Sequence, residues 1–320
     1  MPPPPAPSPP STSISYRCGR AVDGSGTRDR TGRRAGRSRQ GPAVLLLHGF
    51  PHTWRLWSGV IGPLARRHRV IAPDLRGFGD SERPTGGYDA GTLAADAAGL
   101  LEALGAGPAA VVGIDLGTPP AFLLAMRRPG LVRRLVVMES VLGDLPGAED
   151  FLAGGPPWWF GFHAEPGLAE TVLAGHEEAY IGWFLDRGTL GRGVPPDVRA
   201  EFVRAYTGTG ALRAAFGAYR ALPAGARQIR EAVAGARLTV PALTIGAHPV
   251  GRALERQLRP YADRVAGHVI PDCGHIIPLD RPDALLGLLE PFLGADEGPY
   301  GRPAGESGLR RGASPTPPSP

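Results

Sequence analysis

Neither lysine nor asparagine occurs among the 320 residues, so all 35 basic side chains are arginine. Without a lysine amine there is no Walker A phosphate loop, no pyridoxal phosphate or aldolase Schiff base and no Ser-x-x-Lys nucleophile pair. Without asparagine there is no N-glycosylation sequon. Cysteine is nearly absent. Cys18 and Cys273 stand in regions of opposite character, and neither has the close histidine spacing of a zinc ligand, so neither a disulfide framework nor a metal is expected. Long apolar runs are missing as well: none approaches the roughly 18 residues of a membrane span. Met1 is followed by four prolines rather than an apolar signal core, and Arg33-Arg34 leads only to the short Ala43 to Leu47 run. A reducing cytoplasm and no membrane partner are the expectation.

What is present is enough chain, 42% hydrophobic and 20% charged, for one large folded unit or two small ones. The net charge of +5 suggests nucleic acid until it is placed along the chain. Residues 1–42 carry eight arginines against two aspartates, while residues 43–293 carry 24 arginines against 25 acids, so the folded part is nearly neutral and no nucleic-acid partner is expected. Residues 1–42 and 294–320, rich in Pro, Gly, Ser and Arg, read as disordered tails, with a possible short strand at Ile14 to Tyr16.

Between the tails, short apolar runs alternate with helical stretches, the pattern of βαβ units and a parallel sheet. The predicted strands are Val44 to Leu47, Arg69 to Ala72, Ala110 to Val112, Leu135 to Met138, Ala242 to Ile245 and Val265 to Ile270. Leu93, Ala97, Leu100, Leu101 and Leu104 share one helical face, and Leu285, Leu286, Leu288, Leu289 and Phe292 share another. The alternation breaks over residues 140–222, where aromatics cluster in helical segments without strands. An α/β core of residues 43–139 and 223–293 with a helical lid at 140–222 is therefore expected.

The run Val111-Val112-Gly113-Ile114-Asp115-Leu116-Gly117 reads as a buried strand ending in Gly-x-Asp-x-Gly, followed by a helix over Ala121 to Arg128. That is the setting of a nucleophile elbow, a strained turn that needs small residues two before and two after its centre. Pro119 and Pro120 suit a first helical turn, whose N–H groups have no intrahelical partner. Taken alone, the pentapeptide is equally an ordinary aspartate favoured by the dipole at a helix N-terminus. Two further segments bear on it. In Leu47-His48-Gly49-Phe50-Pro51 the Phe50 N–H can face a developing oxyanion, with the Leu116 N–H as its partner. Asp272-Cys273-Gly274-His275 follows the last strand, on a loop from which His275 can reach the elbow. His52, His68, His163, His176, His248 and His268 read as surface or packing residues.

With these residues, together with Asp74-Leu75-Arg76-Gly77-Phe78-Gly79-Asp80-Ser81, the chain from Ala43 to about Leu293 resembles the α/β-hydrolase superfamily, in its epoxide hydrolase and haloalkane or haloacid dehalogenase branch. The resemblance implies a mostly parallel sheet flanked by helices, an aspartate nucleophile at Asp115, water activation by His275, a small-molecule substrate and no cofactor. The acid that orients His275 follows one of two strands in this fold. Gly246-Ala247-His248-Pro249-Val250 offers none, and members of the dehalogenase branch place it where Glu139 stands, with Asp144 in reserve.

The chain departs from its relatives in several places. Ile114 replaces a usual histidine, and Gly117-Thr118 replaces a Gly-Gly pair. Epoxide hydrolases protonate the opening ring with two lid tyrosines; Tyr219 resembles the second, while the first position falls on Trp159, an N–H donor and not an acid. Trp158, Trp159, Phe160 and Phe162 read equally well as lid packing. Dehalogenases often hold halide with Trp or Arg directly after the nucleophile, where this chain has Leu116. Epoxide hydrolysis through an Asp115 ester is the leading expectation. Dehalogenation is the second, and a non-catalytic ligand-binding member of the fold the third.

Overall fold

The computed structural model describes residues 41–294. The possible strand at Ile14 to Tyr16, Cys18 and both expected tails lie outside the described residues, apart from the three positions at their inner ends.

Six parallel strands form one sheet: β1 (Ala43–Leu47), β2 (Arg69–Ile71), β3 (Ala109–Ile114), β4 (Val132–Met138), β5 (Ala242–Gly246) and β6 (Val265–Val269), in the order β2-β1-β3-β4-β5-β6. The expected α/β class and parallel sheet are therefore found. Every residue of β1, β3 and β5 is buried, which explains their unbroken apolar runs: strands covered by helices on both faces do not alternate. β3 is longer than expected, because Ala109 and Gly113 pair with β4 although small residues carry little strand propensity, and Gly113 carries the strand on to Ile114. β6 lies at an edge and keeps Val269 39% exposed.

Three helices accompany the first strands, α1 (Ser58–Ala65), α2 (Ala90–Ala103) and α3 (Thr118–Arg127). Asp89 caps α2 by accepting the Thr92 N–H at 3.0 Å, and Pro119 and Pro120 occupy the first turn of α3. Between β4 and β5 run α4 (Glu149–Leu152), α5 (Trp158–Ala164), α6 (Leu168–Leu173), α7 (Glu177–Gly188), α8 (Pro196–Tyr206), α9 (Thr209–Arg220) and α10 (Leu222–Gly235). The last of these returns to the core and packs on α2 and α3, with Gln228 donating to Asp89 at 2.7 Å. After β5 come α11 (Ala253–Leu258), α12 (Ile277–Asp280) and α13 (Pro282–Gly294), the last two packing on α1. No helix of the described residues is long and apolar enough to cross a membrane.

The registers align the carboxyl ends of the strands. Leu47 pairs with Gly113, Ile114 with Met138, Met138 with Ile245 and Gly246 with Val269. The next residues of β1, β3, β4 and β5 therefore emerge along one edge, where ligands bind in open α/β sheets.

Candidate active site

Asp115 leaves β3 at φ 52°, a left-handed conformation that costs a non-glycine residue on the order of 1–2 kcal/mol. Tight packing below the turn maintains it. A Cβ on Gly113 would lie 2.4 Å from the Gly117 carbonyl oxygen, and one on Gly117 would lie 2.3 Å from that of Leu47, so neither position has room for a side chain. Thr118, where the resemblance implies glycine, is fully buried, and its hydroxyl lies within hydrogen-bond distance of the carbonyls of Gly113 (3.1 Å) and Met138 (3.0 Å). It ties the elbow to β4. Ile114 lies wholly in the core.

The Phe50 N–H donates to Asp115 Oδ2 at 2.8 Å. Leu116, its expected partner, lines the same cavity but makes no hydrogen bond to the carboxylate. The Phe50 loop is fixed from beneath: His48 Nδ1 meets the Gly49 carbonyl at 2.8 Å, and His48 Nε2 accepts the Leu75 N–H at 3.1 Å. Asp74 accepts N–H bonds from Trp54 (2.8 Å) and Asp80 (3.0 Å), so the glycine-rich turn braces the segment before the elbow.

His275 faces the elbow, with Nε2 4.0 Å from Asp115 Oδ2 and Nδ1 3.2 Å from Glu139 Oε2. Glu139 is 1% exposed and has φ 40° at the end of β4. Its other oxygen accepts the Ala247 N–H, so the loop after β5, which lacks an acid, anchors the acid borrowed from β4. Asp144 is not brought to His275; it pairs with Arg230. Burial alone lowers the proton affinity of His275, but hydrogen bonds and charge from Asp115 and Glu139 outweigh it and raise the pKa to about 10.

A cavity of about 810 Å³ opens over this edge, large enough for a substrate of drug-like size. Asp115, His275, Trp159 and Tyr219 all line it. Tyr219, on α9, is 4% exposed, and burial followed by the Asp115 charge pushes its pKa well above 10, so the phenol stays a donor. Its ring meets those of Phe50 (5.7 Å), Phe160 (5.5 Å) and His163 (4.3 Å). Trp159, on α5, packs edge-on against Phe184 at 5.4 Å and Trp183 at 6.0 Å, so it takes part both in lid packing and in the cavity wall.

Three features were not legible in the motifs. His163 is fully buried, stacked on Phe216 at 4.1 Å, with Nε2 2.6 Å from the Tyr180 hydroxyl; it packs beneath Tyr219. His52 is a cavity residue as well as a packing one. Asp280 accepts the Gly274 N–H at 2.6 Å and pairs with Arg192 of the segment between α7 and α8 at 2.6 Å, clamping the His275 loop to the lid. In the run Ile277-Pro278-Leu279-Asp280 nothing hints at this clamp, because an isolated acidic residue carries no signal of its partner. No group of three or more metal-ligating side chains is present among the described residues.

The same fold occurs in known proteins. The alpha/beta hydrolase fold family matches residues 42–209. The chain is similar to the soluble epoxide hydrolase of Corynebacterium sp. (strain C12), at 31% identity over 272 residues, 79% of this chain and 90% of that protein. It is also similar to the fluoroacetate dehalogenase of Burkholderia sp., at 27% identity over 265 residues, 79% and 87% of the two chains. Among solved structures, Cfl2 from Burkholderia cenocepacia superposes with a TM-score of 0.72 at 33% identity, covering 81% of this chain and 90% of its own. The epoxide hydrolase CorEH without ligand gives 0.67 at 30% identity, covering 79% and 92%.

Proposed function

The chain belongs to the α/β-hydrolase fold family, and on that premise we propose that it hydrolyses epoxides through a covalent ester on Asp115. The observation that carries this reading is the convergence of Asp115, His275 and the Tyr219 phenol on one cavity, with Oδ2 of Asp115 already held by the Phe50 N–H. Oδ1 is then the oxygen free to attack. It bonds to an epoxide carbon as the ring C–O bond breaks, and the ring oxygen takes a proton from Tyr219.

Esterification removes the negative charge of Asp115, one of the groups that hold His275 protonated. His275 then sheds a proton, which balances the one gained by the ring oxygen, and is left as a neutral base. Water adds to the ester carbonyl as one of its protons passes to His275, and the bond between that carbonyl carbon and Oδ1 breaks, so the diol leaves with Oδ1, takes the proton from His275, and the Asp115 carboxyl is restored with the water oxygen. Phe50 N–H faces the carbonyl oxygen throughout.

An uncharged alkyl epoxide fits this cavity better than a small haloacid. A haloacid carboxylate needs a cation besides His275, whose charge Asp115 and Glu139 already balance, and the one guanidinium among the described lining residues is Arg187, exposed on α7 above the Trp183 ring at 5.1 Å. Leu116, beside Asp115, offers no side-chain donor to a halide.

The test is intact-mass spectrometry under single turnover. His275→Gln should accumulate one adduct per chain, heavier by the whole epoxide mass and mapping to the Asp115 peptide, and Asp115→Asn should form none. Turnover by the native protein without an adduct on His275→Gln reduces Asp115 to a general base. Activity confined to alkyl halides transfers the protein to the dehalogenase reading.

A further inference from the structure

The residues on either side of His275 are each held by a hydrogen bond. The Gly274 N–H donates to Asp280 Oδ2 at 2.6 Å, and the Ile276 N–H donates to the Gly188 carbonyl, at the end of α7, at 2.8 Å. Lid and loop touch here without a gap: a Cβ on Gly274 would lie 2.3 Å from the Gly188 carbonyl oxygen. Asp280 is held by the lid in turn. Its side chain is 1% exposed, and Arg192 meets both of its oxygens, Nε to Oδ1 at 2.7 Å and Nη2 to Oδ2 at 2.6 Å. Arg192 Nη2 also donates to the Asp272 carbonyl, earlier in the His275 loop, at 3.1 Å. The turn that presents Arg192 is closed by the Thr189 hydroxyl, which donates to the Leu185 carbonyl and accepts the Gly193 N–H, each at 2.8 Å. A buried carboxylate in this position is stable only while paired, since losing its partner strands the charge.

We propose that Asp280 and Arg192 are positioning residues for the base of the hydrolytic step, so that a segment of the lid sets the place of His275. This rests on the ester mechanism above. Both residues lie outside the cavity wall and reach the reaction only through the loop. His275 Nδ1 stands 3.2 Å from Glu139 and Nε2 4.0 Å from Asp115, which leaves little slack. A loop displaced by about 1 Å carries the imidazole out of hydrogen-bond reach of Glu139, and misplacement of that size costs on the order of 100-fold in rate. Attack of Asp115 on the epoxide draws no proton from water through His275, whereas hydrolysis needs Nε2 to take one. Displacement of the loop is therefore felt in the second step.

The experiment follows the two steps separately, with styrene oxide as probe and rapid quench into mass spectrometry. Asp280→Asn keeps the side-chain volume and removes the charge. Adduct formation should change less than about 3-fold, while adduct breakdown slows about 10- to 100-fold, the value of one charge-assisted hydrogen bond. With breakdown limiting, kcat and KM should fall together and kcat/KM stay near native. Arg192→Leu leaves Asp280 with Arg281 at 3.7 Å and should slow breakdown about 3- to 10-fold. Arg192→Lys, with one ammonium in place of the fork, should recover part of that loss. The double variant should break its adduct down no more slowly than Asp280→Asn, because Arg192 acts through Asp280. Should Asp280→Asn fail to fold, the Arg192 variants decide by the same split. Unchanged breakdown in Arg192→Leu overturns the assignment. So does an equal slowing of both steps with a lowered melting temperature, since that is the signature of stability alone. If His275→Gln itself forms no adduct, the ester reading fails, and that outcome is distinct from a failure of the Asp280–Arg192 pair.

Discussion

The floor and the roof of the cavity are built on opposite chemistry. The floor consists of strand ends, where Asp115, Glu139, His275 and the Phe50 N–H are joined by direct hydrogen bonds or close ion pairs over a sheet whose central strands are almost wholly buried. The roof consists of α5, α7 and α9, where Trp159, Trp183 and Phe184 meet ring against ring and Tyr219 meets Phe160. Trp158 remains 57% exposed at its outer side. Polar groups in the floor hold each other at fixed positions because each would be costly to bury unpaired. Aromatic rings in the roof tolerate many contact angles. On the mechanism proposed above, bond-making would depend on single atoms of the floor, while the roof would supply shape and one proton.

The largest effect that can sharpen this contrast is expected from the floor. Glu139→Gln should lower turnover about 10⁴-fold, as loss of the orienting acid does in hydrolase triads. It also removes one of the two carboxylates that raise the His275 pKa to about 10, so the pH at which the imidazolium loses its proton should move down. The sign for stability follows from the same shift. A histidine raised from 6.5 to about 10 contributes stability that is complete below 6.5 and lost as pH rises through 10. Melting temperature should fall over that interval in the native protein and fall less in Glu139→Gln, as thermal scans at pH 6 and pH 10 will measure. Equal slopes would remove Glu139 from the pair.

A middle effect is expected where the roof meets the chemistry. Tyr219→Phe should lower kcat for epoxides about 100-fold, within the range of general acid catalysis. Alkylation by an alkyl bromide should hardly change, since bromide leaves without a proton. Equal losses on both substrates, measured as single-turnover rates, would make Tyr219 a shape residue like its neighbours.

The smallest effect belongs to the roof proper. Trp159→Phe keeps an aromatic wall against Phe184 and removes the indole N–H. Turnover should change less than about 3-fold, with any change in KM rather than kcat. A loss near 100-fold in kcat would turn Trp159 into a second donor and erase the contrast between the two regions.

Much of the core was legible because its signals are local. The six apolar runs fall within a few residues of the six observed strands, and the ends that were missed are mostly Ala, Gly and Arg positions that pair only because a neighbour is present. Thr118 is the clearest miss at the elbow. As a departure from Gly-Gly it carries no visible role, yet its single hydroxyl proton is shared between two carbonyls on adjacent strands, one of them 20 residues away. The reserve acid Asp144 was indistinguishable from Glu139 by chemistry. Its neighbour Arg230, 86 residues distant in the chain, takes it instead.

By itself the sequence determined the α/β class, the parallel strands and which residue types stand at the strand ends, because periodicity, glycine spacing and the absence of lysine act over a few residues. Only the tertiary structure decided which acid faces His275, that Phe50 and not Leu116 holds the Asp115 carboxylate, and that His52 lines the cavity with both ring nitrogens unpaired. Those outcomes depend on registers and packing between segments up to 136 residues apart, and hydrogen-bond partners at that separation leave no pattern along the chain.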